Sequence, residues 1–173
     1  VAHFIGPFLF GVAVATTLGH EVLNDTEVKL SVTMSALIAS VVWNLITWWL
    51  GIPASSSHAL VGGLIGAAVV ESGWGVVKFA GLGKVILALA ISPPIGLIAG
   101  YIVMKTVLFL ARGATPAINT FFKRSQIVTA VALALSHGTN DAQKTMGFIT
   151  LGLVSGGVLK TFQVPLWVIA ISA

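Results

Sequence analysis

The chain has 173 residues, of which 57% are hydrophobic and only 8% are charged, and its formal net charge is +4. With a mean hydropathy of +1.03, a soluble fold could not bury the apolar surface, so the composition predicts an integral membrane protein. The sequence has no cysteine, which excludes a disulfide framework and a cysteine metal site. The cations lie between apolar runs, which is typical of membrane topology signals and argues against a nucleic acid partner.

Apolar runs long enough to cross a membrane recur along the chain, since a spanning helix needs about 20 mostly apolar residues. We predict spans at about 3–19, 30–51 and 85–110, the last kinked or interrupted at Pro93 and Pro94. Residues 162–173 are predicted to begin a further span. Because the sequence starts and stops within apolar runs, we expect it to be a fragment.

Residues 112–125 form the one basic stretch, which we predict to be a cytoplasmic loop because cytoplasmic loops carry an excess of lysine and arginine. Two further segments, 53–70 and 126–159, combine short apolar arms with a polar break. Each arm is about half a membrane thickness, and irregular backbone at membrane depth must be buried in protein or line a cavity. We therefore predict re-entrant half-helix hairpins at both segments, as in transporter binding sites.

The first break reads PASSSH, residues 53–58, and follows a predicted helix end. Ser55, Ser56 and Ser57 stand where the next helix begins, and a helix N-terminus combines free N–H groups with a positive dipole end. Serine hydroxyls add donors for an anion, and His58 is able to donate to the anion or relay a proton. The alternative is that the serines only cap the helix.

The second break reads SHGTNDAQK, residues 136–144. Asn140 and Asp141 offer a helix cap or hard oxygen ligands for a cation. An acid between apolar arms is costly, which indicates a functional site. If the segment is helical, Asn140 shares a face with Lys144, and His137 shares a face with Asp141. Lys144 lies three residues after Asp141, so an Asp141–Lys144 pair would neutralise an empty site. The alternative is an ordinary polar loop between two spans.

GIPASSSHALVGG and SHGTNDAQKTMG resemble the signature segments of the inorganic phosphate transporter (PiT) family, and most closely its bacterial low-affinity phosphate permease branch. That family has a G-[IL]-P-x-S-[ST]-[ST]-H segment, matched at 51–58, and an H-G-x-N-D segment, matched at 137–141. The resemblance implies an all-α, polytopic membrane bundle built from two inverted repeats. Residues 1–111 would then be the end of the first repeat and 126–173 the start of the second, so the chain would hold half of the binding shell.

The resemblance also implies roles for individual residues. The phosphate ligands would be Ser55, Ser56, Ser57, Asn140 and Asp141, and the candidates for ion coupling or proton relay would be Asp141, His58, His137 and Lys144. No metal site is assigned, although Asn140 and Asp141 would suit sodium. The implied function is ion-coupled secondary transport of phosphate by alternating access in the bacterial inner membrane, with protons favoured over sodium. A divalent metal–phosphate complex remains an alternative substrate, no cofactor is expected, and membrane lipid is the other partner.

Three other functions compete with phosphate transport. A permease for another oxyanion such as sulfate would use similar donors, and a half-helix channel would share the broken segments. An intramembrane hydrolase is disfavoured because Ser57 and His58 are adjacent, so their side chains diverge on a helix, and no G-x-S-x-G elbow is present. We therefore expect no enzyme activity. The sequence leaves open whether the protein is a homo-oligomer.

Overall fold

The protein is a bundle of helices in a computed structural model that describes residues 2–23, 28–115 and 118–173, without the side chains of Leu18 and His20. The helices are α1 (Ala2–Leu9), α2 (Ala13–Thr16), α3 (Leu30–Trp49), α4 (Ser56–Ser72), α5 (Phe79–Leu110), α6 (Ile118–Ser155) and α7 (Leu166–Ser172). The described residues contain no β-strand, only an isolated bridge between Leu23 and Val77. The prediction of an all-α fold is confirmed.

Two of the described helices are long and apolar enough to cross a membrane. α3 has 20 residues, or about 30 Å at 1.5 Å per residue, and lies within the predicted span 30–51. α5 has 32 residues, or about 48 Å, and contains the predicted span 85–110. Large apolar side chains of α5 such as Leu97 and Ile98 are exposed, as expected of a helix that contacts lipid or further protein.

α5 continues through Pro93 and Pro94, so the predicted interruption at this point was wrong. A proline has no N–H group, and the two residues therefore leave the carbonyls of Leu89 and Ala90 without their usual helical donors. The φ angle that the proline ring imposes is nevertheless compatible with a helix. The helix therefore continues although these two hydrogen bonds are missing.

Residues 3–19 were expected to form one span, and this was wrong, because the segment consists of two short helices separated at Phe10–Val12. Gly11 has a φ of 72°, a left-handed conformation that glycine adopts readily and that reverses the chain here. α1 runs antiparallel to α6, since His3 packs on Gly138 and Gly6 packs on Leu135. α2 then returns in the opposite direction, and Ala15 packs on Gly147.

α6 is one continuous helix, so the predicted break at 136–144 was wrong, and so was the predicted loop over 118–125. Gly138 is not a turn: it is buried within the helix, and a Cβ there would lie 2.6 Å from the Cα of His3. Its missing side chain lets α1 approach. A continuous helix satisfies its backbone groups internally, which is the least costly arrangement where water is excluded.

α3 and α4 form an antiparallel hairpin. Its close approach depends on small side chains, because a Cβ at Gly63 would lie 2.7 Å from the carbonyl oxygen of Ala36 and 2.9 Å from the Ser40 hydroxyl. The Ser40 hydroxyl donates across the hairpin to the Ala59 carbonyl at 3.0 Å. At the far end, Lys29 and Glu71 form an ion pair at 2.6 Å. Close packing of small residues is a common way to join helices in membranes.

The largest buried cluster lies where α3, α4, α6 and the segment after α2 meet. It consists of Val22, Leu23, Val28, Val32, Ala36, Leu64, Ala68, Val76, Val77, Phe148 and Leu151. A smaller cluster joins α2 to α6 and α7 and consists of Ala15, Ala142, Met146 and Val168. These contacts hold the returning chain of α2 beside the middle of α6.

The α2–α6 contact is also polar. The backbone N–H of Val14, in the first turn of α2, donates to the side-chain oxygen of Gln143 at 2.8 Å. Val12, at the start of this helix, makes no side-chain capping bond. The N–H groups of a first helical turn have no partner within the helix, so Gln143 supplies the acceptor from α6. Gln143 is buried.

We expect Gly63→Ala to destabilise the full-length protein relative to Gly62→Ala by about 1–3 kcal/mol, the usual cost of overpacking. Nothing lies within 4 Å of a Cβ at Gly62, so the same substitution there gains helix propensity without a clash. The measurement is the thermal unfolding midpoint of both variants in one detergent. Equal midpoints would mean that the α3–α4 contact is not this close.

We expect Gln143→Met to lower the stability of the full-length protein by about 1–3 kcal/mol, because the partly buried hydrogen bond from the N–H of Val14 loses its acceptor while the side-chain volume is kept. Gln126→Met is the matched control, since Gln126 is exposed on the same helix. Thermal unfolding in detergent compares the two. If both variants unfold at the wild-type midpoint, the cap does not stabilise α2.

Candidate functional site

A cavity of about 500 Å³ lies where four segments of the chain meet, and we name it the serine–lysine cavity. Its polar wall residues come from the chain after α2, the start of α4, the first half of α5 and the middle of α6. The full wall consists of Ala13, Val14, Thr17, Ser57, Val61, Lys84, Val85, Ala88, Leu89, Ser92, Asn140 and Lys144. A mostly apolar lining with a few convergent polar groups is typical of a small-ligand site.

The beginning of α4 places Ser57 in this cavity. Ser55 is the cap residue, and its hydroxyl accepts a hydrogen bond from the N–H of His58 at 3.4 Å. Ser57 is partly buried and lines the cavity, whereas Ser55 and Ser56 are exposed and do not. Of the three predicted serine ligands, the structure therefore brings one to the wall and leaves two beside the helix N-terminus.

Another part of the wall is formed by α6, where Asn140 and Lys144 lie one turn apart and both line the cavity. The Lys144 side chain is only 10% exposed, and its Nζ donates to Asp141 Oδ1 at 2.9 Å. Asp141 is 52% exposed and does not contribute to the wall. A buried ammonium needs a counter-charge, and Asp141 supplies it from outside the cavity.

The acid and basic residues of α6 form a row along one face of the helix. Asp141 Oδ2 lies 3.2 Å from Nε2 of His137, one turn away, and His3 of α1 packs edge-on against His137 with ring centroids 5.9 Å apart. The shared faces that the spacing predicted for a helical segment are thus confirmed. Both oxygens of Asp141 have a partner on their own helix, which explains how an acid is tolerated on an apolar chain.

His58 is separated from this row. It lines a different cavity, of about 400 Å³, with Ala39, Trp43, Ala59, Gly62 and Gly63. The structure therefore does not bring His58 together with Asn140, Asp141 or Lys144. Its neighbours are the aromatic and small residues of the α3–α4 hairpin.

A further cavity of about 400 Å³ shares Val14 and Asn140 with the serine–lysine cavity. Its other wall residues are Phe10, Ala132, Leu135, Ser136, Thr139 and Gln143. Asn140 thus contributes to the walls of two cavities.

Four polar residues at or beside the site were not predicted from the sequence. Thr17, Lys84 and Ser92 line the serine–lysine cavity, and Gln143 caps α2 next to it. Gln143 lies inside the SHGTNDAQK motif, so its position in the sequence could have identified it as a site residue. Lys84 and Ser92 are isolated in apolar or glycine-rich sequence, and only the packing of α5 across the cavity identifies them.

The arrangement suits an anion. Ser57, Asn140 and two lysines, Lys84 and Lys144, line the cavity, and the acids that pair with the lysines, Asp141 and Glu21, stand outside its wall. The start of α4 adds N–H donors and the positive end of a helix dipole. Within the described residues, no cluster of three histidine or acidic side chains is placed to hold a metal ion.

Comparison with known proteins identifies the family. The model of the phosphate transporter family matches residues 1–173. Two relatives described as probable low-affinity inorganic phosphate transporters, from Rhizobium meliloti (strain 1021) and Bacillus subtilis (strain 168), are 41% and 38% identical to the chain. The matches cover 96% and 97% of the chain and 51% of each relative. The chain therefore spans about half the length of these relatives.

A solved structure, described as the sodium-dependent phosphate transporter, superposes on 99% of this chain and 61% of its own with a TM-score of 0.76. Its sequence identity is 20%, so this likeness concerns the fold. The family match extends from the first residue to the last and includes both signature segments. The chain is therefore a membrane protein that belongs to the phosphate transporter family.

Proposed function

We propose that the full-length protein carries inorganic phosphate across the membrane by ion-coupled secondary transport. The observation that supports this most strongly is the serine–lysine cavity, which unites Ser57, Asn140 and Lys144 from distant parts of a chain of the phosphate transporter family. Relatives described as low-affinity inorganic phosphate transporters agree with this substrate.

Phosphate would be held by donors of three kinds. Ser57, Asn140 and Lys144 line the cavity and would offer hydroxyl, amide and ammonium donors, and charge-assisted hydrogen bonds from the ammonium to a phosphate oxygen would be the strongest. Ser55 and Ser56 would contribute from the helix N-terminus beside the wall, where free N–H groups favour an anion. The hydroxyl and amide donors are uncharged, which favours release of the substrate.

Asp141 is proposed as the coupling residue. It contacts Lys144 on one side and His137 on the other, so a proton or a sodium ion bound there would change the charge beside the substrate lysine. We favour protons, with His137 as the relay and Asn140 available as an oxygen ligand if sodium is used. His58 is the weaker relay candidate, because it lies in another cavity. A divalent metal–phosphate complex is the alternative form of the substrate.

Transport would proceed by alternating access in the bacterial cell membrane, with several spans and the basic stretch around 112–125 in the cytoplasm. We assign 1–111 to the first inverted repeat and 126–173 to the second. α1, at about 12 Å, is too short to span, and the reversal at Gly11 supports a re-entrant α1–α2 hairpin. Asn140 borders two cavities, which fits a site opened alternately from two sides.

We expect Ser57→Ala in the full-length protein to raise KM for phosphate roughly tenfold, because one donor to the anion is lost. Ser56→Ala should have a smaller effect, since Ser56 is outside the wall. Ser72→Ala, at the exposed far end of the same helix, is the control. Initial uptake of labelled phosphate at equal membrane abundance provides the measurement. If Ser57→Ala behaves like Ser72→Ala, this residue does not bind phosphate.

We expect the purified full-length protein in liposomes to accumulate labelled phosphate when a proton gradient is imposed, with little competition from excess sulfate. If a sodium gradient alone drives the accumulation, the coupling ion is sodium and not the proton. Uptake that persists after both gradients are collapsed would instead indicate a channel. Transport of sulfate without transport of phosphate would refute the assigned substrate.

A further inference from the structure

Lys84 is the second lysine of the serine–lysine cavity, and no signature segment contains it. It lies in the second turn of α5, and its Nζ is 3.2 Å from Oε2 of Glu21, at the end of the turn after α2. Glu21 does not line the cavity. Lys84 therefore faces the cavity while its charge is balanced from outside.

The same relation holds for Lys144 of α6, which lines the same cavity and pairs with Asp141. The two pairs differ in how firmly they are held. Lys144 is 10% exposed, whereas the Lys84 side chain is 70% exposed and that of Glu21 is 36% exposed. An exposed ion pair contributes little to stability, because solvent screens the attraction and ordering two long side chains costs entropy. Lys84 is thus the more easily released of the two.

The backbone around this pair is fixed. Gly81 packs directly on the carbonyl of Glu21, and the N–H of Lys78 donates to the Val22 carbonyl at 2.9 Å. Leu23 and Val77 continue the contact as an isolated bridge. The base of Lys84 therefore stays beside Glu21 and the cavity, and only its flexible side chain has to move from one anion to another.

We propose that Lys84 is a second cationic ligand of the transported anion, which Glu21 holds while the cavity is empty and releases when the anion enters. The inference rests on the proposed function and adds a residue to it. Two lysines that line one cavity match a doubly charged tetrahedral anion better than a singly charged one. Glu21 competes with the substrate for Lys84, so removing the acid and removing the lysine have opposite effects on affinity.

The test uses the full-length protein and labelled inorganic phosphate, with KM and kcat measured for Lys84→Gln and Glu21→Gln at equal membrane abundance. We expect Lys84→Gln to raise KM at least fivefold, Glu21→Gln to lower KM about twofold or more, and Lys84→Arg to restore most of the affinity. The matched controls are Lys29→Gln and Glu71→Gln, because that pair has nearly the same exposure, at 68% and 36%, and lies outside the cavity. Both controls should stay within twofold of wild type.

A purely structural ion pair predicts a different pattern, in which Lys84→Gln and Glu21→Gln impair transport in the same direction. That result, or a Lys84→Gln KM within twofold of the Lys29→Gln value, overturns the inference. If Lys84→Gln does not reach the membrane, Glu21→Gln decides: a lowered KM supports the competition, and an unchanged or raised KM refutes it. Failure of the wild-type protein to take up phosphate would refute the proposed function instead, so the two failures are distinguishable.

Discussion

The hydrogen bond between the backbone N–H of Val14 and the side chain of Gln143 is the contact on which the candidate site depends. A short helix that begins inside a bundle needs an acceptor for its first N–H groups, and α2 has none of its own. By supplying that acceptor, α6 fixes the returning chain one turn from Asn140 and directly beside Lys144. Together with the buried cluster of Ala15, Ala142, Met146 and Val168, this bond positions one wall of the serine–lysine cavity.

The same physical requirement explains why α6 is unbroken. Its motif is rich in residues that turn or cap a chain, yet each is accommodated in the helix. Gly138 gives its space to α1, Thr139 donates to the Leu135 carbonyl at 2.7 Å, and Asp141 is paired on both sides. Polar side chains that satisfy each other along one helix cost less in a low-dielectric setting than an exposed backbone does.

The charged residues of the site form two ion pairs, and in each pair the lysine lines the cavity while the acid does not. Lys84 and Lys144 line the cavity, and the acids that pair with them lie outside its wall. While the cavity is empty, each lysine is neutralised by its own acid. An anion that enters the cavity meets the lysines of the wall, whereas the acids lie outside it. Differences in burial give the two pairs different stabilities, so the more exposed pair is the one suited to exchange partners with a substrate.

The broken segments show where prediction from sequence was unreliable. The polar motif at 136–144 was interpreted as a break because the apolar arm before it is too short to span, but α6 extends into the basic stretch and makes up the length. The apolar run at 3–19 was interpreted as continuous, although Gly11 reverses it. A glycine in the sequence is compatible with a turn, as at Gly11, and with a close contact between helices, as at Gly138. Only the packing of neighbouring segments shows which of the two it forms.

Composition and two short motifs by themselves determined that this is an all-α membrane protein of the phosphate transporter family, and that Ser57, Asn140 and Lys144 are site candidates. Local spacing was also sufficient to place His137, Asp141 and Lys144 on one helical face, because that relation lies within a single element. Only the tertiary structure decided which serine reaches the cavity, that His58 lies elsewhere, and that Lys84 joins the wall. Those facts depend on contacts between segments far apart in the chain, which leave no periodicity or motif in the sequence.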